Sequence, residues 1–301
     1  MSLKIRFYGV RGSHPVPGPS TLRFGGNTSC VEVRADRRII ILDAGTGIIP
    51  LGKEIVRENG NRKEMLITLI FSHTHHDHTQ GFPFFQPAYM PKCKLFMFGP
   101  RTFLEDLEST LEHAMISPFF PVQLKEMPAL KTIRSINSSQ VIILPSEDKA
   151  PELHNLHHDE FDIPRGAVVI RCLQSKAHPN GVMIYRIEQE GKSLVYATDV
   201  EGYVGGDTRL IDFARGTDLL IHDAQYEMDE YVGVGGTPHQ SWGHSTPQMA
   251  AEVARKANVG RLVLFHHDPD HDDEKILQME KEAKREFPKT IAAYEGLEIT
   301  L

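Results

Sequence analysis

Phe71-Ser72-His73-Thr74-His75-His76-Asp77-His78-Thr79 decides the reading of this chain. The apolar run 65–71 leads directly into it, and that run is strand length rather than membrane length. The chain then switches at once to an H-x-H-x-D-H pattern, with His73, His75, Asp77 and His78 as ligand-type side chains within six positions. Imidazole and carboxylate suit Zn²⁺, Mn²⁺ or Fe²⁺, and a loop leaving a strand can wrap such ligands around an ion. His73 and His75 can face one ion while Asp77 and His78 face a neighbouring one. A polar loop of solvated histidines is the bland alternative, and it gives no reason for four ligands to gather at a strand end.

Working outward, the 301 residues suffice to bury roughly three-quarters of the unfolded surface without disulfides. Hydrophobic residues at 40% and charged residues at 24% exclude global disorder. Lys and Arg total 33 against 40 Asp and Glu, a net charge of −7, so the overall basic footprint of a general nucleic-acid binder is missing. Cys30, Cys93 and Cys172 form no C-x-x-C pair, which excludes a Cys-rich zinc site and fits a reducing compartment. The opening MSLKIRFYGVRGS is too short and too charged for a signal peptide, so a soluble cytoplasmic protein with no membrane partner is expected. Sixteen histidines are the one unusual figure.

Strands are predicted at 3–8, 30–33, 39–42, 65–71, 94–98, 141–144, 167–172, 182–188, 193–197, 219–221 and 261–265. Helical periodicity covers 48–58, 102–115, 247–256 and 272–287, the third opened by Ser245-Thr246-Pro247, a capping residue ahead of Pro. Many strands with helices interspersed predict an α+β architecture, two sheets sandwiched between helices. With no linker and no repeat, one domain over 1–301 is expected. Residues 118–165, rich in Pro and polar clusters, read as a surface excursion able to serve as a lid.

Taken together, these residues resemble the metallo-β-lactamase fold hydrolases, whose first metal motif is H-x-H-x-D-H after a strand. The resemblance covers nearly the whole chain. It implies a four-layer αββα sandwich, two mixed sheets flanked by helices, carrying a dinuclear metal-dependent hydrolase. His178, in Lys176-Ala177-His178-Pro179-Asn180-Gly181, matches the third ligand of a first metal with His73 and His75. Asp199, in Tyr196-Ala197-Thr198-Asp199, matches the carboxylate bridging both ions. His266 matches the last ligand of the second metal with Asp77 and His78, and His267 is the adjacent alternative. The implied cofactors are two divalent metal ions, zinc ahead of manganese or iron.

The narrower resemblance is to the phosphodiesterase branch, which includes tRNA 3′-processing endonucleases and the phosphonate-pathway cyclic phosphodiesterase. Three stretches carry it: Gly9-Val10-Arg11-Gly12-Ser13 with Phe24-Gly25-Gly26-Asn27-Thr28-Ser29-Cys30, Gly243-His244-Ser245-Thr246, and Ile221-His222-Asp223-Ala224. The tRNA-processing enzymes carry Glu where this chain has Asp223, which keeps the charge and shortens the reach by one methylene. A Gly/Pro-rich basic arm for tRNA is missing, and nucleic-acid affinity depends on neutralising several phosphates. A small phosphodiester, cyclic ones included, is therefore the expected partner, with no strong nucleic-acid signal; a homodimer is left open.

The implied mechanism places water or hydroxide between ions roughly 3.5–4 Å apart as nucleophile. Asp77 orients or deprotonates it, and His244 protonates the leaving oxygen. Asp223 holds the His244 imidazole cationic, against the opposing dipole of the helix that follows. His244 and Ser245 meet the substrate. Thioesterase or lactonase chemistry on the same cluster, or a metal-binding sensor without turnover, are the competing functions.

Other signals are weaker. Asp43 supports a metal-bound histidine or simply starts a turn, Asn27 fits structural use, and His14 fits a solvated loop. His154, His157 and His158, spaced i, i+3, i+4, are expected as lid or surface histidines. Asp268, Asp270, Asp272 and Asp273 read as helix N-terminal charges rather than a calcium loop. Residues 47–53 fit G-x-x-x-x-G-K, but Glu54 follows where Ser or Thr would bind Mg²⁺, excluding a nucleoside triphosphatase.

Overall fold

The strand Arg38–Leu42 is apolar on both faces. Ile39 and Ile41 join one hydrophobic cluster, Ile40 and Leu42 another, and all four are buried. Such a strand must lie inside a layered structure. A computed structural model describes residues 2–101, 105–203 and 205–301. In chain order its strands are β1 (Leu3–Gly9), β2 (Cys30–Ala35), β3 (Arg38–Leu42), β4 (Met65–Ile70), β5 (Cys93–Pro100), β6 (Leu130–Ile136), β7 (Gln140–Leu144) and β8 (Glu152–Asn155). There follow β9 (Val168–Ser175), β10 (Val182–Gln189), β11 (Lys192–Ala197), β12 (Leu219–Asp223), β13 (Leu262–Phe265), β14 (Thr290–Ala292) and β15 (Glu298–Thr300). The helices are α1 (Ile48–Asn59), α2 (His76–Thr79), α3 (Leu107–His113), α4 (Thr208–Ala214), α5 (Met228–Val232), α6 (Pro247–Lys256) and α7 (Asp273–Glu286).

Two mixed sheets result. One runs β15-β1-β2-β3-β4-β5-β6, antiparallel as far as β3 and parallel beyond it. The other runs β14-β13-β12-β11-β10-β9-β7-β8, parallel from β14 to β11 and antiparallel after it. Phe7, Ile40, Phe98, Ile170, Tyr185 and Phe265 fill the space between them. Leu51 and Ile55 of α1 and Leu107 and Leu111 of α3 cover the outer face of the first sheet. Leu210 of α4, Ala250 and Ala254 of α6 and Ala283 of α7 cover that of the second. The order of layers is therefore helix, sheet, sheet, helix, the αββα sandwich that the sequence implied.

Four strands escape the sequence pattern: β6, β8, β14 and β15. The last three have only three or four residues, too few to show a period. Helix α3 begins at Leu107, where the Asp106 side chain accepts the Ser109 amide, and 102–104 of the expected helix lie outside the described residues. The segment 118–165, expected as an excursion interrupted by one or two strands, contains three. It supplies β6 to the edge of the first sheet and β7 and β8 to the second. His154 lies in β8 with its ring stacked on Phe161 at 4.6 Å, and no helix carries His154, His157 and His158 on a common face. Among the described residues no helix is long and apolar enough to cross a membrane.

Candidate metal centre

β4, β11, β12 and β13 direct their carboxyl ends to one place, where His73, Asp199, Asp223 and His266 gather. Open α/β sheets bind ligands beyond such ends. The chain leaves these strands abruptly: Asp43, Asp199 and His266 have φ of 62°, 53° and 63°. Side-chain-bearing residues rarely adopt this left-handed region, and such strain gathers at functional sites. Here it turns the ligand-type side chains of Asp199 and His266 back over the strand ends.

Two groups of ligand-type atoms form. His73, His75 and His178 make the first; Asp77, His78, Asp199 and His266 make the second, with the candidate atoms of each group within 4.8 Å of one another. Asp199 faces both. Its Oδ1 lies 3.7 Å from His73 Nε2 and 3.9 Å from His178 Nε2, while its Oδ2 lies 3.2 Å from His78 Nε2. His266 Nε2 stands 3.0 Å from Asp77 Oδ2 and 3.3 Å from Asp199 Oδ1. All are buried except half-buried His75.

The donor set fits divalent cations on two further grounds. His73 Nε2 is buried without a hydrogen-bond partner among the described residues, and His78 Nε2 faces His266 Nε2 at 3.3 Å. Three rings also spend their other nitrogen on an orienting acceptor: His78 Nδ1 donates to Asp43 Oδ2 (2.8 Å), His178 Nδ1 to the Gly243 carbonyl (3.1 Å) and His266 Nδ1 to Gln225 Oε1 (3.0 Å). That is the usual way to fix a ligating imidazole.

Electrostatics point the same way. Burial drives His73 well below the ordinary imidazole value, and the neighbouring imidazoles add to it. Burial pushes the Asp77 and Asp199 carboxyls up, but the surrounding histidines outweigh it and hold both well below the carboxylate range. For His78 burial is outweighed by Asp199, Asp77 and Asp43, which keep a proton on the ring that an arriving cation must displace.

Asp43 is a hub. Besides His78 it accepts the Ser72 amide (2.7 Å), the Ser72 hydroxyl (2.8 Å) and the Tyr196 hydroxyl (2.7 Å). His244 Nδ1 donates to Asp223 Oδ2 at 2.8 Å, as the sequence expected. Burial lowers the His244 pKa, yet Asp223 more than compensates and it is raised to about 9. Ser245 departs from expectation: it is fully buried and its hydroxyl donates to the Val200 carbonyl at 2.5 Å, so it braces the loop and is not presented to a substrate. Its amide donates to Asp223 Oδ1.

Of the two adjacent histidines, His266 faces the ligand cluster. His267 points away, donating from Nε2 to the Ala293 carbonyl, while burial and Arg11 push its pKa down to about 3. Arg11 itself is buried and ties the N-terminal stretch to the Asp268 and His271 carbonyls. Asn27 is bound to Glu295, a structural use, and exposed His14 lies at a cavity rim.

Several supporting residues carry no sequence signal because their partners are remote in the chain. The Ser13 amide donates to Asp77 Oδ2 across 64 positions, and Tyr196 reaches Asp43 across 153. Glu201 accepts the Tyr231 hydroxyl and the Ser241 and Gly243 amides, anchoring the loop that delivers His244. Two cavities flank the centre. One of about 620 Å³ borders His178, Lys176 and Tyr203; the other, about 270 Å³, borders Ser13, Gln225, Tyr226 and Trp242.

Comparison with known proteins agrees with this geometry. The family model of the β-lactamase superfamily domain matches residues 37–267. Ribonuclease Z of Thermoplasma acidophilum is 26% identical over 318 residues, covering 99% of this chain and 96% of its own. Ribonuclease Z of Sulfurisphaera tokodaii is 30% identical over 251 residues, covering 77% and 80%. Among solved structures, the metallo-β-lactamase fold protein YhfI of Bacillus subtilis superposes with a TM-score of 0.68 at 18% identity, over 100% of this chain and 99% of its own.

These relatives correct the expectation of a small-molecule partner and no strong nucleic-acid signal, since both proteins named here from their sequences are ribonucleases. That expectation rested on the net charge of −7, a property of the whole surface, whereas cations gathered at a buried centre act on phosphate locally. The chain belongs to the metallo-β-lactamase superfamily, as a metal-dependent hydrolase of the phosphodiesterase branch that includes its ribonuclease Z relatives.

Proposed function

We propose that the protein cleaves an RNA phosphodiester, in the manner its ribonuclease Z relatives are named for, using two divalent ions with zinc ahead of manganese or iron. One observation carries the reading: two ligand groups share Asp199 and stand against the His244–Asp223 pair. An acyl hydrolase has less need of that positioned acid. His73, His75 and His178 would hold one ion, and Asp77, His78 and His266 the other, with Asp199 between. Bound there, the ions neutralise phosphoryl oxygens and lower the pKa of water toward about 7.

The chain's own groups do the rest. Asp77, whose carboxyl stays ionised, orients the attacking water rather than retaining its proton. His244 Nδ1 is committed to Asp223, so Nε2 is the atom that gives its proton to the leaving oxygen. The 10-residue helix α6 begins just beyond, and its positive end favours the phosphate while opposing His244 protonation. Asp223 offsets that opposition.

The test is cleavage of a 3′-extended precursor tRNA by chelated protein before and after return of Zn²⁺ or Mn²⁺. Metal-dependent release of the 3′ trailer is expected. An intact precursor, with a thioester or lactone hydrolysed by the same metal-loaded protein, would overturn the reading.

A further inference from the structure

The smaller cavity, beside the second ligand group, has a composition unsuited to phosphate. Asp268 and Asp270 line it, and Gln225 connects it to the centre by binding both Asp268 Oδ2 and His266. Its wall is a run of rings. Tyr226 meets His244 edge-on at 5.8 Å, stacks on His239 at 4.3 Å and 27°, and His239 in turn contacts Trp242 at 4.6 Å. Trp242 is 51% exposed and is the only tryptophan in the chain. His239 Nδ1 is buried and has no hydrogen-bond partner among the described residues. At about 270 Å³ the cavity falls just below the roughly 300–1,000 Å³ of drug-sized sites, room for one heterocycle and not for a folded stem.

We propose that this cavity seats an unpaired RNA nucleobase flanking the cleaved bond, stacked on Trp242, an inference that rests on the RNA reading above. Carboxylates repel the phosphate chain but accept the amino and imino N–H groups of a base, and an exposed indole face is a stacking platform. The cavity on the other side of the centre carries Lys176 and suits the backbone instead. The ring wall ends on His244, so the seated base lies next to the group that meets the leaving oxygen.

Because Trp242 is the sole tryptophan, its fluorescence reports the seat directly. Metal-loaded protein is mixed in stopped flow with the 3′-extended precursor tRNA, and with the same strand made abasic at the nucleotides flanking the cleaved bond. The quench is read before turnover and KM and kcat after it. Expected are a saturable quench with the base-bearing strand alone and a KM roughly 5- to 150-fold higher for the abasic strand. Trp242→Ala raises KM for the base-bearing strand by a similar factor with kcat held and metal content intact; Trp242→Phe recovers most of the loss. Equal KM and equal quench for the two strands overturn the seat and leave RNA cleavage standing. Neither quench nor cleavage overturns both readings, and a base-specific quench without cleavage overturns the cleavage reading alone.

Discussion

Asp223 receives four hydrogen bonds: its Oδ2 accepts His244 Nδ1 (2.8 Å) and the Asp199 amide (3.1 Å), its Oδ1 the Ser245 (2.8 Å) and Gln225 (3.2 Å) amides. One carboxylate thus fixes the ring proposed as acid and the backbone of the residue shared by both ligand groups. Asp223 is the last residue of β12, so the strand end itself carries this short side chain into contact with His244.

If His244 gives up a proton, the loss on removing it depends on the leaving group. His244→Ala should lower kcat on an RNA phosphodiester about 10²–10⁴-fold. On bis(p-nitrophenyl) phosphate, whose leaving group departs unprotonated, the loss should be small. Asp223→Asn should behave similarly by releasing the ring from its tautomer. Equal losses on both substrates, with metal content unchanged, would remove the acid role.

The same ring should report metal binding. In metal-free protein Asp223 raises its pKa to about 9, so the imidazole stays charged at neutral pH. Divalent cations repel an imidazolium, so adding Zn²⁺ must move the titration downward. Activity then falls as pH rises through this lowered value, since the acid must be protonated. NMR titration of His244 with and without metal checks the direction; an upward shift would contradict it.

Much of this was legible in the chain because the informative residues are contiguous. The strand before His73 and the ligand pattern after it are local, and so is the Thr246-Pro247 start of α6, where Thr246 accepts the Met249 amide. What escaped is set by tertiary contact. Nothing in the spacing of Asp43 and Tyr196 tells that β3 and β11, in different sheets, bring them within 2.7 Å. Ser245 misled because a serine beside a candidate catalytic histidine looks available, whereas the fold turns it onto the Val200 carbonyl. Net charge misled because it averages over a surface that a buried centre does not represent.

Metal should stabilise as well as activate. Among the described residues His73 Nε2 has no hydrogen-bond partner, and the carboxylates around His78 hold a proton on its ring. Binding to the native state alone, at a hundredfold excess over Kd, contributes about 2.7 kcal/mol. For a chain of this size that is roughly 4 °C in Tm. Proton displacement makes the gain shrink as pH falls. Thermal melts with EDTA and with Zn²⁺, at several pH values, measure both effects, and a pH-independent gain would speak against displacement of a ligand proton.

Asp43 touches no candidate ion position yet holds His78, Ser72 and Tyr196 together. Asp43→Ala should weaken metal binding about 10–100-fold, the usual cost of losing the partner of a ligating imidazole. Asp43→Asn, which keeps an acceptor oxygen, should lose less. Competition with a chromophoric chelator gives the affinities, and identical values for wild type and both variants would reduce Asp43 to a turn former.

Gly243 sits where no side chain fits. Its φ is 93°, and a Cβ there would lie 2.2 Å from His178 Nδ1 and 2.9 Å from His178 Cα. Its carbonyl also accepts the His178 Nδ1 proton, while its amide is held by Glu201. Gly243→Ala therefore adds backbone strain of about 1–3 kcal/mol and drives His178 off its acceptor. Metal stoichiometry should fall by the ion at the first group, and kcat should drop more than KM rises. Gly235→Ala separates the two causes, since Gly235 has φ 76° with open space around the missing Cβ. It should cost stability and spare metal content. Equal metal content in both variants would show that the clash with His178 is relieved elsewhere and that Gly243 is needed only for its backbone conformation.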